Sequence, residues 1–322
     1  MKRTERYTAV GMALGVVADA LVGDPRKGHP VAVFGGRVAA LENRIYADSR
    51  ARGTLFTAIC VGAVAGIGVA ADRLTRGRPL ARTAVTTAAT WAVLGGTTLG
   101  REGAHMAASL ESGDLAAARA RLPHLCGRDP SRLDAPELAR ATVESIAENT
   151  SDAAVAPLFW GAVAGVPGLL AYRAINTLDA MVGHRSPRHE RFGWASARLD
   201  DAANLAPARL TGLLAVALAP VARGSSRRAL AALRRDGHRH PSPNSGQCEA
   251  AFAGALGVRL GGVNDYGGRR EARPELGDGP RPAVPDIRRA VRLARAVSWT
   301  AAALGVGARW AVAARRGASA AR

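Results

Sequence analysis

Long stretches without a charged residue are the feature of this sequence that most restricts its fold. Residues 54–71 and 83–100 form uncharged apolar runs of 18 residues, and residues 153–172 form one of 20. An α-helix needs about 20 apolar residues to cross a bilayer. Weaker candidates are 7–23, which Asp19 interrupts, 205–222 and 296–314. We therefore predict an all-α, polytopic membrane helical bundle with polar cytoplasmic loops and helices. Buried helices of a large soluble all-α protein are the alternative.

The composition agrees with a helical chain. Ala, Leu, Arg and Gly dominate, whereas the 322 residues include only 5 Trp, 4 Tyr and 5 Phe, which is few for a β-rich fold. Cys60, Cys126 and Cys248 are too far apart for a CxxC pair, and their odd number argues against a disulfide-stapled secreted domain. We expect one membrane domain over residues 1–322, with a motif-rich region at 141–262.

The strongly basic charge has two interpretations. The 44 basic and 26 acidic residues give a formal net charge of +18. Arginines concentrate between the apolar runs, and short Arg-rich loops favour the cytoplasmic side of a membrane. A soluble helical nucleic-acid-binding protein has a similar charge, but no RNP-type aromatic pattern, zinc finger or helix-turn-helix accompanies these arginines. We therefore expect a lipid bilayer, and no nucleic acid, as a partner.

The N-terminus resembles a signal peptide only in part. Residues 1–6 are basic, an apolar stretch follows, and residues 18–20 have the A-x-A form of a cleavage site. The acidic middle residue, Asp19, and the Gly-Asp-Pro sequence at 23–25 disfavour cleavage. We predict a retained first membrane segment.

Three carboxylates are spaced as if on one face of a helix. Glu144, Glu148 and Asp152 stand at i, i+4 and i+8. Like charges at this spacing repel each other, so the face indicates a cationic partner: Mg²⁺, an arginine cluster or a protonated amine. A solvated acidic face is the plainer interpretation. It is disfavoured because the helix leads into the run 153–172, and carboxylates at a membrane segment are costly and usually functional.

A second polar group follows that run. Its members are Asn176, Asp179, Asp200, Asp201 and Asn204. Their oxygens suit Mg²⁺, and the flanking Arg198 and Arg209 suit phosphate. Alternatively, the arginines only neutralise the two aspartates. The D-G-x2-A-R motif of CDP-alcohol phosphotransferases is not matched.

Two polar turns complete the set of candidates. Asp24 and His29 lie just after the first apolar run. Asn244 and Ser245 open a helix of small residues; either could cap it, with Glu249 in its first turns. The amides at the N-terminus of such a helix could hold a phosphate. A capped helix in a loop is the plainer interpretation.

Taken together, these blocks resemble one family, the CobD/CbiB proteins, which are adenosylcobinamide-phosphate synthases of cobalamin biosynthesis. The blocks appear in the family's order between residues 14 and 268. They are GDP at 23–25, HPV at 29–31, ESIAEN at 144–149 with Asp152, APLF at 156–159, YRAINTLD at 172–179, FGWA at 192–195, ARLDD at 197–201 with Asn204, PARL at 207–210, PNSG at 243–246 with Glu249 and Ala250, and GALGV at 254–258. Arg173 stands where the family often has lysine, which keeps the charge.

The resemblance implies a polytopic membrane enzyme that joins a carboxylate of adenosylcobyric acid to the amine of aminopropanol or its O-phosphate. It also implies ATP and Mg²⁺. In the mechanism that we expect, ATP phosphorylates the carboxylate, the free amine attacks the acyl phosphate, and a protein carboxylate or His29 takes the ammonium proton.

Roles follow for the candidate residues. We expect catalysis from Glu144, Glu148, Asp152, Asp200 and Asp201, and Mg²⁺ binding from Glu144, Glu148, Asp200 and Asp201. We expect substrate or phosphate binding from Arg173, Arg198, Arg209, Asn149, Asn176, Asp179, Asn204, Asn244, Ser245, Asp24 and His29.

We expect a multi-pass protein of the cytoplasmic membrane with its active site facing the cytoplasm, in the company of other late cobalamin-pathway membrane enzymes. A polytopic transporter or scaffold with a cation-binding acidic face is the rival hypothesis.

Overall fold

The computed structural model describes residues 2–25, 28–184, 186–266 and 269–318 as a mainly helical chain with one short hairpin. Its helices are α1 (Lys2–Val22), α2 (Pro30–Ile45), α3 (Arg50–Leu74), α4 (Pro79–Val93), α5 (Gly96–Glu111), α6 (Leu115–Arg121), α7 (Ala135–Thr150), α8 (Ala156–Leu178), α9 (Trp194–Leu218), α10 (Ser226–Asp236), α11 (Ser245–Leu256) and α12 (Val284–Ala318). The antiparallel strands β1 (Leu260–Tyr266) and β2 (Arg269–Leu276) form the hairpin. The predicted helical class is confirmed, whereas the hairpin was not predicted.

Two of the described helical stretches are long and apolar enough to cross a membrane: Arg50–Leu74, and Trp194–Ala222, which joins α9 to a 3-10 turn. The first does not resemble the core helix of a soluble protein, because only 22% of its most apolar 18-residue stretch is buried. The polytopic bundle stays a prediction.

Two predicted segments are interrupted. The segment 83–100 is broken between the end of α4 at Val93 and the start of α5 at Gly96. The segment 153–172 begins in a π-helical turn and is kinked at Gly165, whose φ of 66° and ψ of −143° are not helical. Pro167 follows within α8 and removes one backbone donor from the helix.

The chain divides into two compact units. Unit 1 comprises Met1–Gly95, Ala156–Asn204 and Ala301–Arg322, and unit 2 comprises Gly96–Val155 and Leu205–Thr300.

Unit 1 is built on close helix contacts, α1 with α4 and α3 with α8. A core cluster includes the fully buried Phe56 and Phe192, whose ring centroids lie 5.0 Å apart. A Cβ at Gly53 of α3 would collide with the backbone of Phe192, so only glycine allows this approach. The Arg309 guanidinium donates to Glu5 at 2.6 Å and to the carbonyl of Gly161 at 3.1 Å.

Unit 2 includes the hairpin, α7 and α11, and these two helices carry Glu144, Glu148 and Ser245. A capping box between Asp134 and Glu137 begins α7, with Pro136 in its first turn. All but one residue of α11 are buried, and a Cβ at Gly254 would press into the backbone of α10. Small residues thus let α11 enter the core of the unit, where any charged side chain that it carries must be buried.

Candidate active site

The predicted site residues fall into two groups, one in each unit. Unit 1 contains Asp24, His29, Arg173, Asn176, Asp179, Arg198, Asp200, Asp201 and Asn204. Unit 2 contains Glu144, Glu148, Asn149, Asp152, Arg209, Asn244 and Ser245. The four carboxylates from which Mg²⁺ binding was predicted are therefore divided between the two units.

Glu144 is the centre of a buried ion-pair network in unit 2. Its Oε2 accepts from Arg128 Nη2 at 2.6 Å, and its Oε1 accepts from Arg140 Nη1 at 3.2 Å and from the amide of Gly261 at 2.7 Å. The side chains of Glu144 and Arg128 are only 9% and 6% exposed. The arginine cluster foreseen as one possible cationic partner is thus the partner that the structure shows.

Arg140 extends this network to the hairpin. Its guanidinium also donates to the carbonyl oxygens of Gly261 and Val263, at 2.6 and 3.0 Å, and to Asn264 Oδ1 at 2.9 Å. Together, Arg140 and Glu144 bind β1 to α7.

Glu148 is held by the first turn of α11, because Ser245 Oγ donates to its Oε1 at 2.6 Å. The prediction that Asn244 or Ser245 caps α11 is wrong: Asn244 occupies the cap position and makes no side-chain capping bond, and Ser245 is the first helical residue. Asn149 donates to the carbonyl oxygens of Ser145 and Leu125, so its side-chain amide nitrogen is hydrogen-bonded to the backbone.

The regular spacing of the three carboxylates ends at Glu148. α7 stops at Thr150, and Asp152 lies in the π-helical turn Ser151–Val155. Its negative charge affects Cys248 of α11. Burial is the main cause that raises the pKa of the Cys248 thiol, and the negative charges of Asp152 and Glu148 add to it.

Glu249 is a buried acid in the first half of α11. Only 5% of the residue is exposed. Burial first, and then repulsion by Glu144 and Glu148, raise the pKa of Glu249 well above its ordinary value.

His240 connects Glu249 to Arg273 of β2. Its Nε2 lies 3.8 Å from Glu249 Oε1 and accepts from Arg273 Nη1 at 2.7 Å. Burial, followed by the positive charge of Arg273, lowers the pKa of His240. A neutral His240 fits this geometry, because only an unprotonated Nε2 can accept from a guanidinium.

Several of these residues line one pocket within unit 2, which has a cavity volume of about 50 Å³. The charged side chains and the thiol that line it are Cys126, Arg128, Glu144, Glu148, Glu249 and Arg273. The pocket therefore carries both signs of charge in one small buried space.

The polar group of unit 1 is centred on Asp200. Its Oδ2 accepts from Asn204 at 3.0 Å and its Oδ1 from Asn176 at 3.5 Å, while Tyr172 Oη donates to Asn204 Oδ1 at 2.8 Å. Asp179 begins the π-helical turn Asp179–Gly183, where a Cβ on Gly183 would collide with its carboxylate. The structure thus brings Asn176, Asp200 and Asn204, three of the predicted site residues, into one hydrogen-bonded set.

Asp24 and His29 also belong to unit 1, and they lie next to each other at the start of α2. His29 Nδ1 accepts from the amide of Val31 at the start of α2, and its Nε2 lies 3.6 Å from Asp24 Oδ1. Burial lowers the pKa of His29, the charge of Asp24 opposes this, and the charge of Arg173 adds to it. Because Nδ1 accepts this bond, a neutral His29 carries its proton on Nε2, which faces Asp24 and cannot accept a second proton.

The two flanking arginines have different surroundings. Arg198 lies 3.5 Å from Asp201 in an exposed pair, as the structural alternative expected. Arg209 donates instead to the carbonyl of Leu205 in its own helix.

The residues do not fit the predicted Mg²⁺ site. Within the described part of the chain, no three His, Cys, Asp or Glu side chains are grouped so that they could hold a metal ion. Both oxygens of Glu144 are already occupied by arginines and an amide, which makes it a poor ligand.

Several residues that line the pocket were not among the predicted site residues: Arg128, Glu249, Asn264 and Arg273. Arg140 and His240, which bond to the lining residues Glu144 and Arg273, were not predicted either. Glu249 stands within a recognised block, so its type and position were available. The others carry no local signal, because the fold brings them together from separate stretches of sequence.

Comparison with known proteins finds one matching family and relatives that share one name. The family model "CobD/Cbib protein" matches residues 12–294. The chain is similar to "Cobalamin biosynthesis protein CobD" of Mycobacterium tuberculosis, with 55% identity over 94% of this chain and 96% of the relative. The proteins of the same name from Geobacter metallireducens and Rhodobacter capsulatus are 46% and 44% identical, over 83% and 89% of this chain and 86% and 93% of the relatives. No solved structure matches the chain.

Proposed function

The chain belongs to the CobD/Cbib family, and we propose that it is an ATP-dependent, amide-forming ligase. Family membership and the shared name of its relatives support a role in cobalamin biosynthesis. In the proposed reaction, a carboxylate of adenosylcobyric acid is joined to the amine of (R)-1-aminopropan-2-ol or of its O-phosphate. The product is adenosylcobinamide or its phosphate.

The observation that carries this proposal is the pocket of unit 2, where carboxylates and guanidinium groups share one small buried space. Amide formation from a carboxylate needs both kinds of group. Cationic side chains stabilise phosphate and carboxylate oxygens, whereas carboxylates hold an ammonium group and accept its proton.

The proposed chemistry proceeds in two steps. First, a carboxylate oxygen of the corrinoid attacks the γ-phosphorus of ATP, which forms an acyl phosphate and releases ADP. Then the free amine attacks the acyl carbon, the C–N bond forms, and inorganic phosphate leaves. Because only the unprotonated amine is a nucleophile, the ammonium proton must first pass to a base.

Glu249 is our candidate for that base. Its raised pKa brings a carboxyl group closer to the pH at which proton transfer from an amine is efficient. Glu148, which faces the same pocket, would hold the ammonium group. Arg128 would neutralise developing negative charge, while Glu144 keeps Arg128 in position.

We assign substrate binding to the polar group of unit 1. Tyr172, Asn176, Asp200 and Asn204 form a connected hydrogen-bonded set, and Arg173 adds a positive charge. ATP is the proposed co-substrate, and we propose that Mg²⁺ arrives as its counter-ion and is not held by Glu144.

We also propose that the protein resides in the cytoplasmic membrane with its active site facing the cytoplasm. The apolar helix α3 supports this location, since Leu55, Ile67 and Leu74 are at least half exposed. Large apolar side chains that face outward along a long apolar helix are typical of a membrane or protein contact.

Mass spectrometry of the corrinoid tests the ligase proposal. Detergent-solubilised protein is incubated with adenosylcobyric acid, each amine in turn, and Mg-ATP. We expect a mass gain equal to the amine minus water, dependent on ATP and lost in Glu249→Gln. Glu111→Gln removes an exposed ion pair with Arg288 and serves as the control that keeps full activity. An unchanged corrinoid with both amines would contradict the proposal and favour the transporter hypothesis.

A further inference from the structure

The helix α10 carries a basic face that points away from the core of unit 2. Arg227 and Arg234 are exposed and stand seven residues apart, which is two helical turns on the same side of α10. The opposite side packs on α11, where Ala229 and Ala232 lie against Gly254. The apolar residues of α10 are thus used in packing, whereas its outward face is positively charged.

The arginines of this region differ in their partners. Arg235 and Arg239 are paired with the buried Asp236, at 2.8 and 3.3 Å. Among the residues that the structure describes, Arg227 and Arg234 have no such ion pair. Arg227 also stands in the first turn of α10, which contains no acid, and the helix dipole disfavours a positive charge there. Both charges are therefore accessible to an anion outside the chain.

The basic face follows directly on an apolar helix. The stretch Trp194–Ala222 is long and apolar enough to cross a membrane, and Leu213 and Val221 in its second half are 57% and 51% exposed. Arg223 is the next residue, and Arg227 is only four residues further along the chain, a span of at most about 14 Å. A long arginine side chain can extend its charged end to the membrane surface from such a position.

Arg223 is also unusual in its backbone conformation. Its φ of 54° and ψ of 38° are left-handed, and in the described part of the chain it is the only residue other than glycine with a positive φ. Glycine adopts this conformation without strain, and Gly224 is the next residue. An arginine here adds a positive charge at the end of the apolar stretch at a cost in backbone energy.

We propose that Arg223, Arg227 and Arg234 form a docking surface for the anionic headgroups of phospholipids, which holds α10 at the membrane surface. This inference rests on the membrane location proposed above. Basic residues next to a membrane span are attracted to anionic lipids. Because these arginines follow directly on an apolar stretch, a bilayer is the anionic surface nearest to them. An acidic protein or a nucleic acid would have to bind in the same place beside the bilayer.

A fluorescent label on the basic face tests this contact. Ala231 is exposed on the same side of α10, so Ala231→Cys is labelled with bimane in a Cys60→Ser/Cys126→Ser background, in which the buried Cys248 does not react. The full chain in neutral detergent is titrated with phosphatidylglycerol, with phosphatidylcholine and with glycerol 3-phosphate. The measurement needs no corrinoid, amine or ATP, so its result is independent of the ligase reaction.

Two double variants of this labelled chain remove the same charge from different helices. Arg227→Gln/Arg234→Gln removes two positive charges from α10. Arg37→Gln/Arg44→Gln removes two from α2, where both arginines are exposed and have the same seven-residue spacing. The α2 variant is therefore the matched control, and Arg227→Lys/Arg234→Lys keeps the charge on α10.

We expect the labelled chain to bind phosphatidylglycerol about 100-fold more tightly than phosphatidylcholine, because each of the three arginines contributes about a fivefold factor near a membrane surface. Glycerol 3-phosphate should cause no response. Arg227→Gln/Arg234→Gln should bind phosphatidylglycerol about 25-fold more weakly on the same basis. The α2 variant and the lysine variant should retain the binding.

An equal response to the two lipids, or an equal response to phosphatidylglycerol and glycerol 3-phosphate, overturns the proposal. Undiminished binding in Arg227→Gln/Arg234→Gln, or the same loss in the α2 variant, also overturns it. A stronger response to polyglutamate or to a DNA oligonucleotide assigns the face to another macromolecule and overturns the lipid contact. If wild type leaves membranes without detergent, the membrane location fails, and titration with phosphatidylglycerol vesicles decides the docking surface separately.

Discussion

Replacing Glu144 with Gln tests whether the buried network stabilises unit 2. The carboxylate accepts three bonds, from Arg128, Arg140 and the Gly261 amide, at 2.6, 3.2 and 2.7 Å. Gln keeps one acceptor oxygen and turns an NH₂ donor towards a guanidinium.

The magnitude follows from burial. Hydrogen bonds to charged groups contribute about 1.5–3 kcal/mol each, but the remaining oxygen of Gln recovers part of that sum. Breaking a buried ion pair by removing one partner costs about 3–5 kcal/mol, which is the loss in the free energy of unfolding that we expect. For a unit of this size, about 2–4 °C per kcal/mol gives a Tm lower by about 6–20 °C.

Glu111→Gln is the matched comparison. Glu111 also binds an arginine through two bonds, at 2.7 and 2.6 Å, but the pair is exposed. Exposed pairs contribute about 0–1 kcal/mol. The double variant Glu144→Met/Arg128→Met should be less destabilised than the sum of its single changes, because neither charge remains buried alone.

Labelling of a buried thiol measures unfolding of unit 2 directly. Cys248 is 1% exposed, so in a Cys60→Ser/Cys126→Ser background its reaction with a maleimide during heating reports the opening of α11. A Tm shift for Glu144→Gln no larger than that for Glu111→Gln would refute the reasoning.

Three further predictions concern pH and the membrane. Burial and repulsion by Glu144 and Glu148 raise the pKa of Glu249, so its ionisation destabilises the fold as pH rises above about 4.3, the ordinary pKa of Glu. Glu249→Gln should therefore raise Tm more at pH 8 than at pH 5, and equal Tm shifts at the two pH values would contradict this. Burial alone would raise the pKa of Asp236, but hydrogen bonds from Arg235, the Gly277 amide and Arg239 hold it below its ordinary value. In denaturant titrations at pH 7, Asp236→Asn should lower the free energy of unfolding by about 1–3 kcal/mol. This difference from wild type should vanish as pH falls through the folded-state pKa of Asp236. In α3, Ile67→Arg should weaken membrane insertion by about 3–4 kcal/mol and release protein into the carbonate-soluble fraction, whereas Leu80→Arg, in the first turn of α4, should not. Extraction of wild type without detergent would contradict the membrane location.

The sequence predicted those features that depend on local pattern. Helical spacing placed Asp200 one turn from Asn204, and Asn204 donates to Asp200 in the structure. The contact of Asn176 with Asp200 joins two helices and does not follow from spacing. The i, i+4 spacing of Glu144 and Glu148 indicated a cationic partner. The structure shows that partner to be arginine for Glu144.

Other features depend on contacts between distant parts of the chain. Arg128 and Arg273 reach the pocket from a loop and from a hairpin whose Gly-, Pro- and Arg-rich sequence has no alternating pattern. The π-helical turn Ser151–Val155 interrupts the regular spacing before Asp152, and no residue type announces such a turn. The division of Glu144 and Asp200 between different units is likewise a property of tertiary packing that the local pattern does not carry.

The fate of the carboxylate oxygens is the most direct test of the central claim that ATP activates a carboxylate for amide formation. Adenosylcobyric acid labelled with ¹⁸O in its free carboxylate is converted in the presence of the amine and Mg-ATP, and the product and the phosphate are analysed by mass spectrometry. The account predicts one ¹⁸O retained in the new amide and one in inorganic phosphate. Appearance of the second ¹⁸O in AMP would contradict the acyl-phosphate route, and its appearance in water, without ATP consumption, would contradict the ligase itself.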